Sequence, residues 1–212
     1  MMDGRECRGQ RGRLPRCRAG PGTDTRSADS SEERVIDPLV TTTRLTLREW
    51  SDADAPAALA IFGATQVARW LTPAVERISD LEAMRSALQT WQQQQPGLPP
   101  PQGRWAVHRN ADKAVIGGVG IRLLPPHAED LELSWQLNPD EWGKGYAAEA
   151  ARALIAWAFT QEIDELFAVA RPTNVRAVAT VKRLGMQWVG ETTKYYGLNL
   201  QVYRIRPSDL SD

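Results

Sequence analysis

Leu131-Glu132-Leu133-Ser134-Trp135-Gln136-Leu137, then Trp142-Gly143-Lys144-Gly145-Tyr146-Ala147, then a run carrying Glu149, Ala150, Leu154 and Ile155, form the most informative unit of this chain. Residues 131–137 alternate with period two, as a half-buried strand does. Asn138-Pro139-Asp140 breaks that strand, and the Ala-rich run after Gly145 predicts a helix to about Gln161. A glycine turn feeding a helix aims consecutive backbone N–H groups at one point, where the unpaired first-turn donors and the helix dipole add positive potential. Gly143 and Gly145 remove side chains that would keep a ligand from the backbone. A pyrophosphate suits such a point, and Lys144 either adds charge there or lies in solvent. The third glycine of a dinucleotide fingerprint is missing, as is the Gly-Lys-Ser/Thr of a nucleoside-triphosphate loop.

Upstream, Thr42-Thr43-Arg44-Leu45-Thr46-Leu47-Arg48 reads as a first strand. Ser51 and Asp54 have capping-box spacing before an Ala-rich helix that stops near Phe62-Gly63, and Ser79-x-x-Glu82 repeats the signal. Leu81, Met84, Leu88 and Trp91 then recur at helical spacing, with a loop expected over Gln92 to Pro101. Arg104 to Arg109 and Val115 to Leu123 read as a hairpin turning at Asn110-Ala111-Asp112, its second arm twisted or bulged at Gly117, Gly118 and Gly120. Downstream, Leu166 to Ala170 is a short apolar strand, Asn174 to Leu184 a helix closed by Gly185, and Met186 to Glu191 and Leu200 to Arg206 two last strands. The sum is an α+β domain around a mixed sheet.

At 212 residues the chain has room for one domain and a tail. Met1 to about Ile36 is rich in Arg, Gly, Ser and Asp and poor in apolar residues, so a disordered tail is expected at 1–36 and the folded domain at 37–212. The formal net charge of zero disfavours nucleic acid as a partner. The longest apolar candidate, Ala147 to Phe159, is interrupted by Glu149 and Arg152 and falls short of the ~20 residues a membrane span needs. Cys7 and Cys17 both lie in the tail segment, which argues against a cysteine nucleophile and fits a cytoplasmic protein. His108 and His127, without cysteine partners, do not make a metal site.

Over Thr42 to Arg206 the chain resembles the GNAT acyltransferases, and within them the RimJ/RimL-type group of ribosomal-protein N-terminal acetyltransferases. The resemblance rests on Arg44-Leu45-Thr46-Leu47-Arg48, Gly117-Gly118-Val119-Gly120-Ile121, Glu132, Asn138 through Ala150, Asn174 with Ala177, and Leu184-Gly185-Met186. It implies a mixed, mostly antiparallel twisted sheet with flanking helices, and acetyl-CoA as co-substrate without a metal. Under it Trp142, Gly143, Lys144, Gly145, Tyr146 and Ala147 cradle the coenzyme A pyrophosphate, Asn174 contacts the cofactor or merely caps its helix, and pantetheine pairs with the strand at 131–137. The family's usual Gln or Arg is Trp142 here, and its usual tyrosine acid is Val181. It also uses the segment between the first two helices, Phe62 to Pro73, to select substrate.

Amide formation from a thioester needs an unprotonated amine, a polarised carbonyl and protonation of the leaving thiolate. A backbone N–H near Gln136 or Leu137 could bind the thioester oxygen. Glu132 is the candidate general base, or else pairs with an arginine such as Arg122; Ser134, two residues on, shares its face and could orient substrate. Tyr195, Tyr196 or Tyr203 could supply the missing acid, with Tyr203 carried forward as the candidate. The expectation is N-acetylation by direct transfer in a ternary complex of a monomer or homodimer. The acceptor is a protein N-terminus or a small-molecule amine such as an antibiotic or polyamine. A non-catalytic acyl-CoA-binding module is the reading from another class.

Overall fold

In a computed structural model, residues 37–71 and 77–210 are described. The expected tail at 1–36 and the Thr72-Pro73 end of the substrate-selecting segment lie outside them. Among the described residues eight strands form one sheet: β1 (Pro38–Thr41), β2 (Leu45–Glu49), β3 (Gly103–Arg109), β4 (Val115–Leu123), β5 (Leu131–Leu137), β6 (Leu166–Ala170), β7 (Gln187–Thr192) and β8 (Leu200–Ile205). Their order is β1-β2-β3-β4-β5-β6-β8-β7. Every neighbouring pair is antiparallel except β5 and β6. The helices are α1 (Ala55–Phe62), α2 (Thr65–Ala68), α3 (Leu81–Gln94), α4 (Tyr146–Phe159) and α5 (Val175–Arg183). This is the mixed, mostly antiparallel α+β architecture that the resemblance implies.

Period-two alternation sorts the sheet into two faces. Leu45, Leu47, Trp105, Val107, Val119, Ile121 and Leu133 share a core with Leu154 and Ile155 of α4. Ala106, on the opposite face, packs with Trp50, Ile61, Phe62, Met84 and Leu88 of the α1–α3 layer. Each fully buried leucine or isoleucine in these clusters contributes about 1.5–3 kcal/mol. Gly118 also faces the α1–α3 layer, because a Cβ there would lie 2.8 Å from the Trp50 ring. The register slips from Val107↔Gly117 to His108↔Val115, leaving Ile116 as an extra residue on β4, so the bulge lies in the glycine-bearing arm, as expected.

Three local expectations change. The strand expected over 42–48 begins only at Leu45, as β2, and β1 precedes it, because Thr42 folds into a turn between them: its N–H donates to the Leu45 carbonyl at 2.8 Å and its Oγ1 accepts the Leu45 N–H at 2.9 Å. The cap of α3 is Asp80, whose Oδ1 accepts the Ala83 N–H at 2.8 Å, and the helix continues into the glutamine run as far as Gln94. The Ser51/Asp54 box does form, with the Ser51 N–H and Oγ both donating to Asp54 Oδ2 at 2.8 and 2.9 Å. Among the described residues no helix is long and apolar enough to cross a membrane.

Candidate active site

The end of β5 builds an anion-ready loop. The Asn138 N–H donates to Ile116 at 2.9 Å, and its Oδ1 accepts the Asp140 N–H at 3.1 Å, which starts the tight turn Pro139–Glu141. The Trp142 indole N–H donates back to the Leu137 carbonyl at 3.0 Å. Gly143 and Gly145 then take φ of 80° and 83°, in the left-handed region that costs an L-residue ~1–2 kcal/mol. Gly145 is the N-cap of α4, and no side chain caps that end. The N–H groups of Tyr146, Ala147 and Ala148 therefore lack an intrahelical acceptor. These three residues and both glycines line a cavity of about 550 Å³.

Arg44 holds this loop from outside. Its Nη1 donates to the Lys144 carbonyl at 3.1 Å, its Nε to Glu149 Oε2 at 2.6 Å, and its guanidinium lies 4.6 Å from the Tyr146 ring centre. Thr42 Oγ1 donates to Glu149 Oε1 at 2.6 Å. Burial works against the Glu149 charge, but Thr42 and Arg44 outweigh it and hold the carboxyl below its ordinary range. A carboxylate in the first turn of α4 also complements the helix dipole. Lys144 points elsewhere: its Nζ donates to Glu141 Oε2 at 2.9 Å, and it does not line the cavity.

From the loop the cavity follows β5. The parallel strands β5 and β6 pair only at Glu132 and Phe167, so they separate toward their C-terminal ends. Asn138 and Ile116 are a hydrogen-bonded pair, and the register continues through Gln136↔Gly118 and Ser134↔Gly120. By the alternation of an antiparallel ladder, the N–H groups of Gln136 and Ser134 face β4, whereas those of Leu137 and Trp135 face the gap beside β6. Of the two expected oxyanion donors, Leu137 is thus the one directed into the gap and Gln136 is not. Gln136 still lines the cavity through its side chain's position on β5.

Glu132 lies in the middle, 4 % exposed. Arg122 Nε donates to its Oε2 at 2.7 Å, and the Tyr196 hydroxyl donates to the same oxygen at 3.1 Å. Burial opposes the Arg122 cation, but Glu132 and Tyr196 prevail and leave it above its ordinary value. Ser134 lines the cavity with Glu132, its hydroxyl 3.4 Å from the Gly120 carbonyl. Asn174 also lines it, with Oδ1 capping α5 through the Ala177 N–H at 3.2 Å, so its capping role is filled and its cavity position is kept.

Tyr203 does not belong to this group. It is 4 % exposed in the core under α4, donates to Gln201 Oε1 at 2.9 Å, and does not line the cavity. On β8 it faces Ala168 and Trp188, which puts its ring inside the sheet–α4 layer rather than at the gap. Tyr195 is committed to Asp130 at 2.6 Å, and burial and that carboxylate push its hydroxyl up to about 12. Tyr196, another of the three candidate acids, is the tyrosine that touches Glu132. Val181, at the position of the family tyrosine, is buried in the core.

The far end is aromatic. Trp50, Phe62, Trp70, Leu71, Trp91 and Arg104 line it. The Trp91 ring meets Phe62 edge-on at 5.3 Å and Trp50 at 6.0 Å. Phe62 of α1, Val67 of α2, and Trp70 and Leu71 just after it thus line the cavity from the described part of the segment expected to select substrate.

The acetyltransferase (GNAT) domain family matches residues 44–187 of this chain. The chain is similar to the uncharacterized N-acetyltransferase YoaA of Bacillus subtilis (strain 168), 26 % identical over 162 residues, covering 74 % of this chain and 88 % of YoaA. Among solved structures it is similar to the acetyltransferase from Agrobacterium tumefaciens str. C58, at 27 % identity and a TM-score of 0.64 over 80 % of this chain and 95 % of that one. It shares its fold with Mycobacterium smegmatis RimJ in complex with CoA-disulfide, at 16 % identity and a TM-score of 0.66, over 79 % of this chain and 84 % of that one.

Proposed function

The chain belongs to the GNAT acetyltransferase family, and on that premise we propose that it moves the acetyl group of acetyl-CoA onto a primary amine by direct transfer in a ternary complex. The observation that carries this is a single cavity with uncapped α4 N–H groups at one end and the buried Glu132 carboxylate in its middle. The residues fit the co-substrate. Gly143 leaves nothing within 4 Å of where a Cβ would stand, so a pyrophosphate can reach the backbone. The gap between β5 and β6 admits an extended arm beside the Leu137 and Trp135 N–H groups, with Asn174 on its flank.

In the transfer, the amine attacks the thioester carbon, the C–N bond forms and the C–S bond breaks. Glu132 takes the proton from the amine, held in place by Arg122 and Tyr196. A gap-facing N–H of β5 stabilises the oxygen of the tetrahedral intermediate, that of Trp135 being nearer to Glu132 than that of Leu137. The thiolate, whose parent thiol has a pKa near ~8.5, leaves without a tyrosine acid and takes its proton from water. Holding both reactants along one strand supplies much of the rate, since fixed positioning removes roughly 7–11 kcal/mol of barrier.

A protein α-amino terminus is one acceptor this reading admits, because its pKa near ~8 makes it easier to deprotonate than a lysine near ~10.4. The aromatic enclosure at Trp50, Phe62 and Trp91 favours the second reading, a small-molecule amine. Thiol release measured across a panel of N-terminal peptides and small amines tests both. Turnover of some member supports the enzyme, and tight acetyl-CoA binding without turnover of any amine would favour an acyl-CoA-binding module.

A further inference from the structure

The cavity holds two arginines near Glu132, and their charges are treated differently. Arg122 is spoken for by Glu132. Arg104, on β3, makes no ion pair and no side-chain hydrogen bond among the described residues, although it lines the same cavity. Its guanidinium is 5.5 Å from the Trp91 ring centre, so the aromatic face supports the cation without neutralising it. Burial and the neighbouring Arg122 both lower its pKa. A half-buried cation of this kind gains from an anion brought by a ligand.

The sheet places it within reach of the reaction. Arg104, Gly120 and Ser134 form one row across β3, β4 and β5, and Glu132 stands two residues along from Ser134. Two strand spacings and two residues along the strand put the Arg104 and Glu132 Cα atoms about 12 Å apart. Gly120 carries no side chain, and Arg104 Cγ and Ser134 Oγ each come within 3.6 Å of where its Cβ would stand, so the Arg104 stem lies across the row toward β5.

We propose that the acceptor is a small amine bearing a carboxylate: Arg104 binds the carboxylate over the Trp91 face while the amine reaches Glu132. The body between the two groups is apolar or aromatic, matching Trp50, Phe62 and Trp70. Amine and acid are separated by several bonds, because the two protein groups rise from different strands. This inference deepens the acetyltransferase reading and rests on it for the amine, but not for the carboxylate.

The test pairs para-aminomethylbenzoate and ε-aminocaproate with their own carboxamides. For wild type, kcat/KM is expected to favour at least one carboxylate over its carboxamide by about tenfold to a hundredfold, the size of a hydrogen bond to a charged group. Arg104→Gln collapses that ratio toward one, and Arg104→Lys keeps part of it. Binding of the same four compounds is followed in parallel by tryptophan fluorescence, which needs no turnover, and melting curves confirm that the variants fold. Turnover of amines without any carboxylate preference, or a preference that survives Arg104→Gln, overturns the inference and leaves the acetyltransferase in place. Arg104-dependent carboxylate binding without turnover of any amine would overturn the acetyltransferase reading and leave the anion site.

Discussion

Arg122 and Glu132 face each other directly in the β4–β5 register and are joined by a 2.7 Å hydrogen bond from Nε to Oε2. One neighbour on the adjacent strand thus fixes the orientation of the only carboxylate buried in the middle of the cavity among the described residues. The Glu132 side chain is almost fully covered, so its second partner, Tyr196, completes the cage.

Glu132→Gln keeps the shape and removes the proton acceptor. It is expected to lower kcat/KM for the amine by about 10²–10⁴ while acetyl-CoA binding stays intact, the range for loss of a general base. Steady-state thiol release and acetyl-CoA titration of the same variant check this. Full activity in the variant would remove Glu132 from the mechanism.

The Arg48–Asp54 pair is the structural counterpart, with bidentate contacts of 2.7 Å at a side chain only 6 % exposed. Burial opposes the Asp54 charge, but Arg48 and the Ser51 groups outweigh it and hold the carboxyl below its ordinary value. A depressed carboxyl contributes stability that is complete above its unfolded value near ~3.9 and is lost as pH falls through the lower folded value. Denaturant unfolding is therefore expected to show the pair's contribution intact at neutral pH and fading only below about pH 4. Asp54→Ala leaves Arg48 buried without its partner and should cost about 3–5 kcal/mol.

Much of the fold is legible along the chain. The bounds of β5 and β6 follow from apolar alternation punctuated by Asn138-Pro139 and by polar flanks, signals that are local. β1 and β2 are not separable that way, because the turn between them comes from one hydroxyl, Thr42, in a run of β-branched residues. α2 spans four residues, Thr65–Ala68, too few to show a helical period. The glycine loop and Glu132 are visible in the sequence, but their supports are not. Tyr196 reaches Glu132 across 64 positions and Arg44 reaches Glu149 across 105. Tyr203 lies outside the cavity for the related reason that alternation tells which residues share a face, not which layer covers that face.

Arg44→Met tests the outer clamp. Exposed ion pairs are worth ~0.2–1 kcal/mol, and Arg44 is 46 % exposed. The loop should loosen modestly, raising KM for acetyl-CoA by about two- to fivefold with a smaller change in kcat. An unchanged KM would mean that the loop holds its shape without Arg44.

The most direct test of the central claim is calorimetric titration of acetyl-CoA into wild type and Gly145→Asp. Asp at a φ of 83° meets backbone strain and brings a negative charge to the α4 N-terminus. Wild type is predicted to bind one acetyl-CoA per chain, and Gly145→Asp, still folded by its melting curve, to bind at least about tenfold more weakly. Equal affinity in the two proteins would contradict the assignment of the Trp142–Ala147 loop as the pyrophosphate site.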